Sequence, residues 1–240
     1  MMASPLKRQR EQILSKVSTQ ARGVVAASAA TLDSLHLRLI EFEQDKLKLK
    51  ELVQIAEKVN LKRDVLIPKY MPAAQAYLEA GENYQNPIFT DLIIWLFDVG
   101  DLDTAVDWLF KAIELDLPTP ENFKTNSWSV VCARFVLEWA DTQLSNGRSV
   151  EPYFSQVFEK IDKEWKLPEK QEAEWYKFAG YGLLMNAEGV PQPSQVGDVE
   201  RLEKARALLL KAHEKHCKIG VKTKIGQIDM RIRAIQEGKL

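Results

Sequence analysis

Histidine and cysteine are scarce in this chain, with three histidines and two cysteines in 240 residues. No CxxC pair exists, which excludes the common zinc patterns. Cys132 and Cys217 cannot build a disulfide framework and fit a reducing cytoplasm. His213 and His216 stand at a helical metal spacing, but only Cys217 is at hand as a third ligand, and no metal site is expected. No GxxxxGK[ST] string occurs, so the chain has no loop to cradle phosphates and is not expected to hydrolyse ATP. GxSxG, HExxH and a paired Cys–His arrangement are also missing, so no catalytic residue and no cofactor is assigned. No apolar run approaches the roughly 18 residues of a membrane span. The stretch Met1–Gln20 has no apolar core of a secretory signal. Net charge is nearly absent too, with 33 Lys+Arg against 34 Asp+Glu, where a nucleic-acid binder is usually basic.

What the chain does have is ordinary globular material. Hydrophobic residues make up 45% and charged residues 28%, enough to bury one large core or two small ones. The near-zero charge conceals a distribution. Residues 1–30 carry five bases (Lys7, Arg8, Arg10, Lys16, Arg22) and one acid, Glu11. Residues 201–240 carry eleven bases and four acids, and residues 31–200 carry 17 bases and 29 acids. Basic ends thus flank an acidic middle, which suggests different partners for each. Solvated helix faces with chance clustering give the same asymmetry. Within the middle, Lys46–Lys69 holds seven bases and three acids, while Glu82–Glu121 holds nine acids and one base. In an oligomer these neighbouring blocks are expected to meet across subunits.

The periodicity is helical throughout, and the class is all-α. Ser4 and Pro5 open a short basic helix with Leu6, Ile13, Leu14 and Val17, joined to the rest by a small-residue stretch, Gly23–Ala30. The first 25–30 residues are expected to be mobile without a partner. Thr31–Val59 reads as one long helix with heptad spacing at Leu32, Leu35, Leu39, Phe42, Leu49 and Val53, a row that Lys46 interrupts. That row is the candidate self-association seam, and a long core helix in a monomer is the alternative. Leu61–Ala80 follows with Pro68 and Pro72, which predict a kink near Ile67–Tyr70, and with Gly81 as a stop. Pro87–Val99 and Leu102–Leu115 flank a Gly100-Asp101 turn in which Asp101 is a capping candidate. This hairpin resembles half of a tetratricopeptide unit, and a similar string starts at Gly197. Asn186–Gly197 is turn-rich and reads as an internal linker.

Two further sets of residues invite a chemical reading. The acids Asp98, Asp101, Asp103 and Asp107 would suit a two-metal nuclease, or an exposed helix face with one cap. The six tryptophans fall within amphipathic helices, where packing is the commoner role than stacking on bases. A second basic group, Lys211, Lys215, Lys218, Lys222, Lys224, Arg231 and Arg233, suits phosphates or an acidic protein surface, without a helix-turn-helix signature.

Several strings occur together in order: Ser4-Pro5 before a basic stretch, Leu66 with Pro72, Leu78 and Gly81, then Trp95-Leu-Phe-Asp98-Val-Gly100-Asp101. Ala105, Leu117-Pro118-Thr119-Pro120 and Cys217-Lys-Ile-Gly220-Val221-Lys222 complete the set. In this order the chain resembles the small terminase subunit of temperate, contractile-tailed bacteriophages with cohesive-end packaging, over roughly residues 1–235. The resemblance implies a non-catalytic subunit that recognises the packaging site on concatemeric double-stranded phage DNA. It also implies a homo-oligomer, ring-like in this class, and a large terminase subunit that holds the ATPase and nuclease. No membrane partner is implied; the place of action is the host bacterial cytoplasm, and the mature virion is not expected to contain it. Some relatives carry a long basic C-terminal tail, whereas these residues run to Leu240, which shifts the weight of DNA contact towards residues 1–30.

The expected organisation is therefore a basic DNA-binding segment (1–30), an oligomerisation region (31–86), an acidic helical-hairpin body (87–190) and basic C-terminal helices (191–240). A helical-repeat scaffold that binds only proteins is the alternative, and a metal-dependent endonuclease a more distant one.

Overall fold

A computed structural model describes residues 29–81 and 84–239, with side chains from His36 onward. The described residues are helical with no strand; an isolated bridge pairs Met185 with Pro191. The chain divides into two compact units, residues 1–126 and 127–240. That division falls inside the stretch 87–190, which the sequence reads as one body.

In the first unit, α1 spans Ala29–Glu51 and α2 spans Ile55–Leu61. The long helix expected to run to Val59 is broken at Leu52–Gln54, where Gln54 adopts extended dihedrals. Neither glycine nor proline stands there, so the turn is not encoded by a local breaker. The turn lets the chain return, so that Tyr70 meets Phe42 edge-on with ring centroids 4.9 Å apart. A π-helical turn, Lys62–Leu66, leads into α3 (Ile67–Ala80). Pro68 has no N–H to give the preceding turn, and the Ile67 N–H reaches back five residues to the Lys62 carbonyl. The expected kink is thus a widened turn just ahead of the proline. Gly81 ends α3 at φ 61°, a left-handed conformation that glycine adopts without a Cβ clash.

Helix α4, Pro87–Val99, is the centre of this unit. Asn86 caps it by accepting from the N–H groups of Ile88 (3.1 Å) and Phe89 (3.3 Å). Its Ile88, Phe89, Leu92, Ile93, Trp95 and Leu96 are all buried, and it packs against α1, α3 and α5. Gly100 turns the chain at φ 82°, and Asp101 accepts from the Thr104 N–H at 3.2 Å to start α5 (Leu102–Glu114). Phe89 joins the hairpin's two helices through Trp108, centroids 5.2 Å apart. Each such fully buried large apolar side chain is worth about 1.5–3 kcal/mol.

The second unit contains α6 (Trp128–Ser145), α7 (Tyr153–Lys163), α8 (Glu169–Gly182), α9 (Val199–Lys215) and α10 (Lys222–Gln236). Trp175 is its buried anchor: its indole N–H donates to the Ala133 carbonyl at 3.0 Å, and its ring stacks on Phe154 at 5.0 Å. Helices α8 and α9 approach closely at Gly180, where a Cβ would lie 2.7 Å from a Leu209 methyl. Leu184, Val196, Leu202, Leu209, Val221 and Ile228 close a core around α9 and α10. The Asn186–Gly197 segment is packed into this unit. The Asn186 side chain accepts from the N–H groups of Glu188 (3.1 Å) and Val190 (2.8 Å), and Pro193 and Val196 are buried.

Candidate DNA and subunit interfaces

The N-terminal bases Lys7, Arg8, Arg10, Lys16 and Arg22 lie outside the described residues, as do the side chains of Leu32 and Leu35. The C-terminal group is described, and it divides. Lys211 on α9 donates to Asp162 at 2.9 Å and sits 5.0 Å from the Tyr176 ring centroid. Tyr176 donates to the same carboxylate at 2.8 Å. These contacts, led by Lys211, pull the Asp162 pKa down, whereas burial pushes that of Tyr176 up. Lys215 pairs with Glu172 at 2.7 Å. Lys224 donates to the Pro191 carbonyl at 2.8 Å and Arg231 to the Val196 carbonyl at 3.0 Å. These four bases are engaged by carboxylates and carbonyls of the second unit itself.

Lys218, Lys222 and Arg233 have no acidic partner among the described residues. Lys218 and Lys222 flank the α9–α10 turn, in which Gly220 adopts φ 80°. Lys222 begins α10. At about 1.5 Å per residue, Arg233 lies about 16 Å further along the same helix. The structure therefore brings Lys218 and Lys222 to one end of α10 and separates Arg233 from them.

The first unit answers the alternating charge blocks. Lys46 pairs with Asp91 at 3.0 Å and Lys62 with Asp98 at 2.5 Å. Lys69 reaches both Glu41 (2.7 Å) and Asp45 (2.6 Å). Two bases of the first block, Lys46 and Lys62, thus pair with acids of the second within one chain, while Lys69 pairs with acids of α1. Asp45 is buried between Phe42 and Leu49 in α1 and accepts from Lys48 (2.8 Å), Lys69 and the Tyr70 hydroxyl (2.9 Å). Burial opposes its charge, but these hydrogen bonds outweigh burial and hold its pKa at about 2. Burial, reinforced by the bond to Asp45, pushes Tyr70 up to about 12.

The proposed self-association row is partly used inside the chain. Phe42 and Leu49 are core residues, Leu39 is half-buried, and Val53 is 89% exposed beyond the end of α1. Leu37 and Leu47 leave apolar surface at 66% and 58% exposure. Among the acids, Asp98 is tied to Lys62 and Asp101 is a helix cap. No group of three His, Cys, Asp or Glu among the described residues is arranged to hold a metal ion. Trp95, Trp108, Trp128 and Trp175 are buried, as packing residues are, and Cys132 is buried while Cys217 is exposed. No helix among the described residues is long and apolar enough to cross a membrane.

Residues 39–170, from the middle of α1 into α8, match the family described as the phage small terminase subunit. The chain belongs to that family. It is 33% identical over 226 residues to the "Probable terminase, endonuclease subunit" of Haemophilus phage HP1, covering 93% of this chain and 80% of that one. It is also 21% identical over 232 residues to the "Terminase, endonuclease subunit" of Escherichia phage P2, covering 97% and 87%. No solved structure matches. The family match contains the Asp45 network, the α4–α5 hairpin and Trp128. Both basic ends lie outside it.

The intrachain pairing of Lys46 with Asp91 and of Lys62 with Asp98 is not readable from the sequence. Its signal was the adjacency of a basic and an acidic block, which identifies complementary charge but not the chain that supplies each partner.

Proposed function

We propose that this member of the small terminase subunit family recognises the packaging site on concatemeric phage DNA, self-associates, and brings in the large subunit that cuts and translocates the genome. The reading places its work in the host cytoplasm and gives it no catalysis of its own. The word "endonuclease" in the relatives' names then describes the complex to which such subunits belong. The observation that carries the reading is the division of the seven C-terminal bases: four are engaged within the fold, while Lys218 and Lys222 have no acidic partner among the described residues and lie together beside the start of α10, with Arg233 apart from them. A helix N-terminus with two free cations suits a phosphate. Lys7, Arg8, Arg10, Lys16 and Arg22 add the second cationic contact.

Gel-shift with packaging-site and scrambled DNA tests this. Preferential binding of the packaging site, with affinity and salt slope reduced by deletion of residues 1–25, is expected. Equal failure on both DNAs would favour the protein-only scaffold, for which the exposed apolar residues of α1 speak. Plasmid cleavage by the isolated chain with Mg²⁺, abolished by Asp98→Ala or Asp101→Ala, would instead establish the endonuclease reading.

A further inference from the structure

The second unit holds a cavity of about 520 Å³ between the loop 190–194 and one face of α10. Two large apolar side chains that the fold leaves exposed, Val190 at 52% and Met230 at 62%, both line it. Pro191 and Pro193 add to the apolar lining. Lys224, Gln227, Arg231 and Ala234 recur at three- and four-residue spacing, so one stripe of α10 forms a wall about 15 Å long.

The charge of this wall is uncompensated. Among the described residues no carboxylate lines the cavity. Lys224 donates to the Pro191 carbonyl at 2.8 Å and Arg231 to the Val196 carbonyl at 3.0 Å, bonds that satisfy a donor without neutralising a charge. The sole acid of α10, Asp229, is taken by Arg206 at 2.6 Å. The groove is thus apolar in its middle and cationic along one wall. We propose that it is a docking site for an acidic amphipathic helix of a partner protein, which sets its apolar row on Val190 and Met230 and its carboxylates beside Lys224 and Arg231. The wall matches about three turns of such a helix. Met230, unbranched and polarisable, moulds to a row of apolar side chains. The phosphate face of a duplex has no apolar surface to offer the middle of the groove, so the occupant is a protein. The docking does not rest on the DNA reading, because Lys218 and Lys222 are not part of the lining.

Fluorescence anisotropy on the full chain tests this, with a fluorescein-labelled peptide that carries leucines at helical spacing and glutamates between them. Saturable binding is expected. Two control peptides, one with lysine for glutamate and one with serine for leucine, are expected to bind at least about tenfold more weakly. The paired variant Gln227→Glu with Met230→Ser puts a carboxylate between the two cations and removes the apolar anchor. It is expected to weaken binding of the acidic peptide about tenfold and to leave duplex-DNA affinity unchanged. Both positions are exposed, so unchanged circular dichroism separates lost docking from lost folding, and Val190→Ser on the loop checks the apolar contact independently. No saturable binding of the acidic peptide, equal affinity for either control, undiminished affinity in the folded variants, or loss of duplex DNA in place of the peptide would overturn the proposal.

Discussion

Lys211 Nζ lies 2.9 Å from Asp162 Oδ1, on a carboxylate that also accepts the Tyr176 hydroxyl at 2.8 Å. A base that the sequence offers to DNA thereby joins α9 to α7 and α8. The pair is about half exposed, so its worth is small. Lys211→Ala is expected to lower unfolding stability by no more than about 1 kcal/mol. It is also expected to leave the salt slope of DNA binding unchanged. Urea unfolding and fluorescence anisotropy measure the two separately.

Asp45 carries a pH prediction. Its folded-state pKa, about 2, lies below the ordinary 3.8, so the unfolded chain takes up this proton first as pH falls. The stabilisation is fully present above about pH 5 and is lost as pH drops through 4 towards 2, amounting to about 2 kcal/mol. Asp45→Asn leaves Lys69 without its closest anion and is expected to cost about 3 kcal/mol at pH 7. The variant's stability is expected to fall less steeply between pH 5 and 2, which denaturant titrations across that range would show.

Gly180 tests the close approach of α8 and α9. Alanine normally favours a helix by about 1 kcal/mol over glycine. Here its Cβ would lie 2.7 Å from a Leu209 methyl and 3.2 Å from the Ala205 carbonyl oxygen. Overpacking is expected to win, and Gly180→Ala to destabilise by about 1–2 kcal/mol in urea unfolding.

Asn86 offers a local check on the first unit. Its side chain accepts two N–H groups at the start of α4, the most completely buried helix there. Asn86→Ala is expected to cost about 1–2 kcal/mol. Thermal unfolding followed by circular dichroism at 222 nm detects the loss.

The parts of the fold legible in the sequence are those written into adjacent residues. Pro87, Gly81 and Gly100-Asp101 mark helix ends by local hydrogen bonding and backbone preference, and the helices begin and stop there. The turn at Leu52–Gln54 was hidden because no residue in it breaks a helix; it follows from the contact of Phe42 with Tyr70 and Trp95. The Asn186–Gly197 loop has linker composition, yet Val196 is core, since turn residues say nothing about what a lone apolar neighbour packs against. Charge was legible as totals and illegible as pairs. Lys211 and Lys218 look alike in sequence, and one is spent on Asp162 while the other has no acidic partner. The family was legible from ordered strings such as Trp95–Asp101, which lie within the matched region.

The central claim is that the chain holds DNA through cations its own fold does not consume. The most direct measurement is the dependence of binding constant on salt for packaging-site DNA, comparing two paired variants. Lys218→Ala with Lys222→Ala is expected to reduce the slope of log K against log salt by about 2, at about 0.9 per phosphate contact. Lys211→Ala with Lys215→Ala is expected to leave that slope at its original value. A slope reduced by the second pair and untouched by the first would contradict the account.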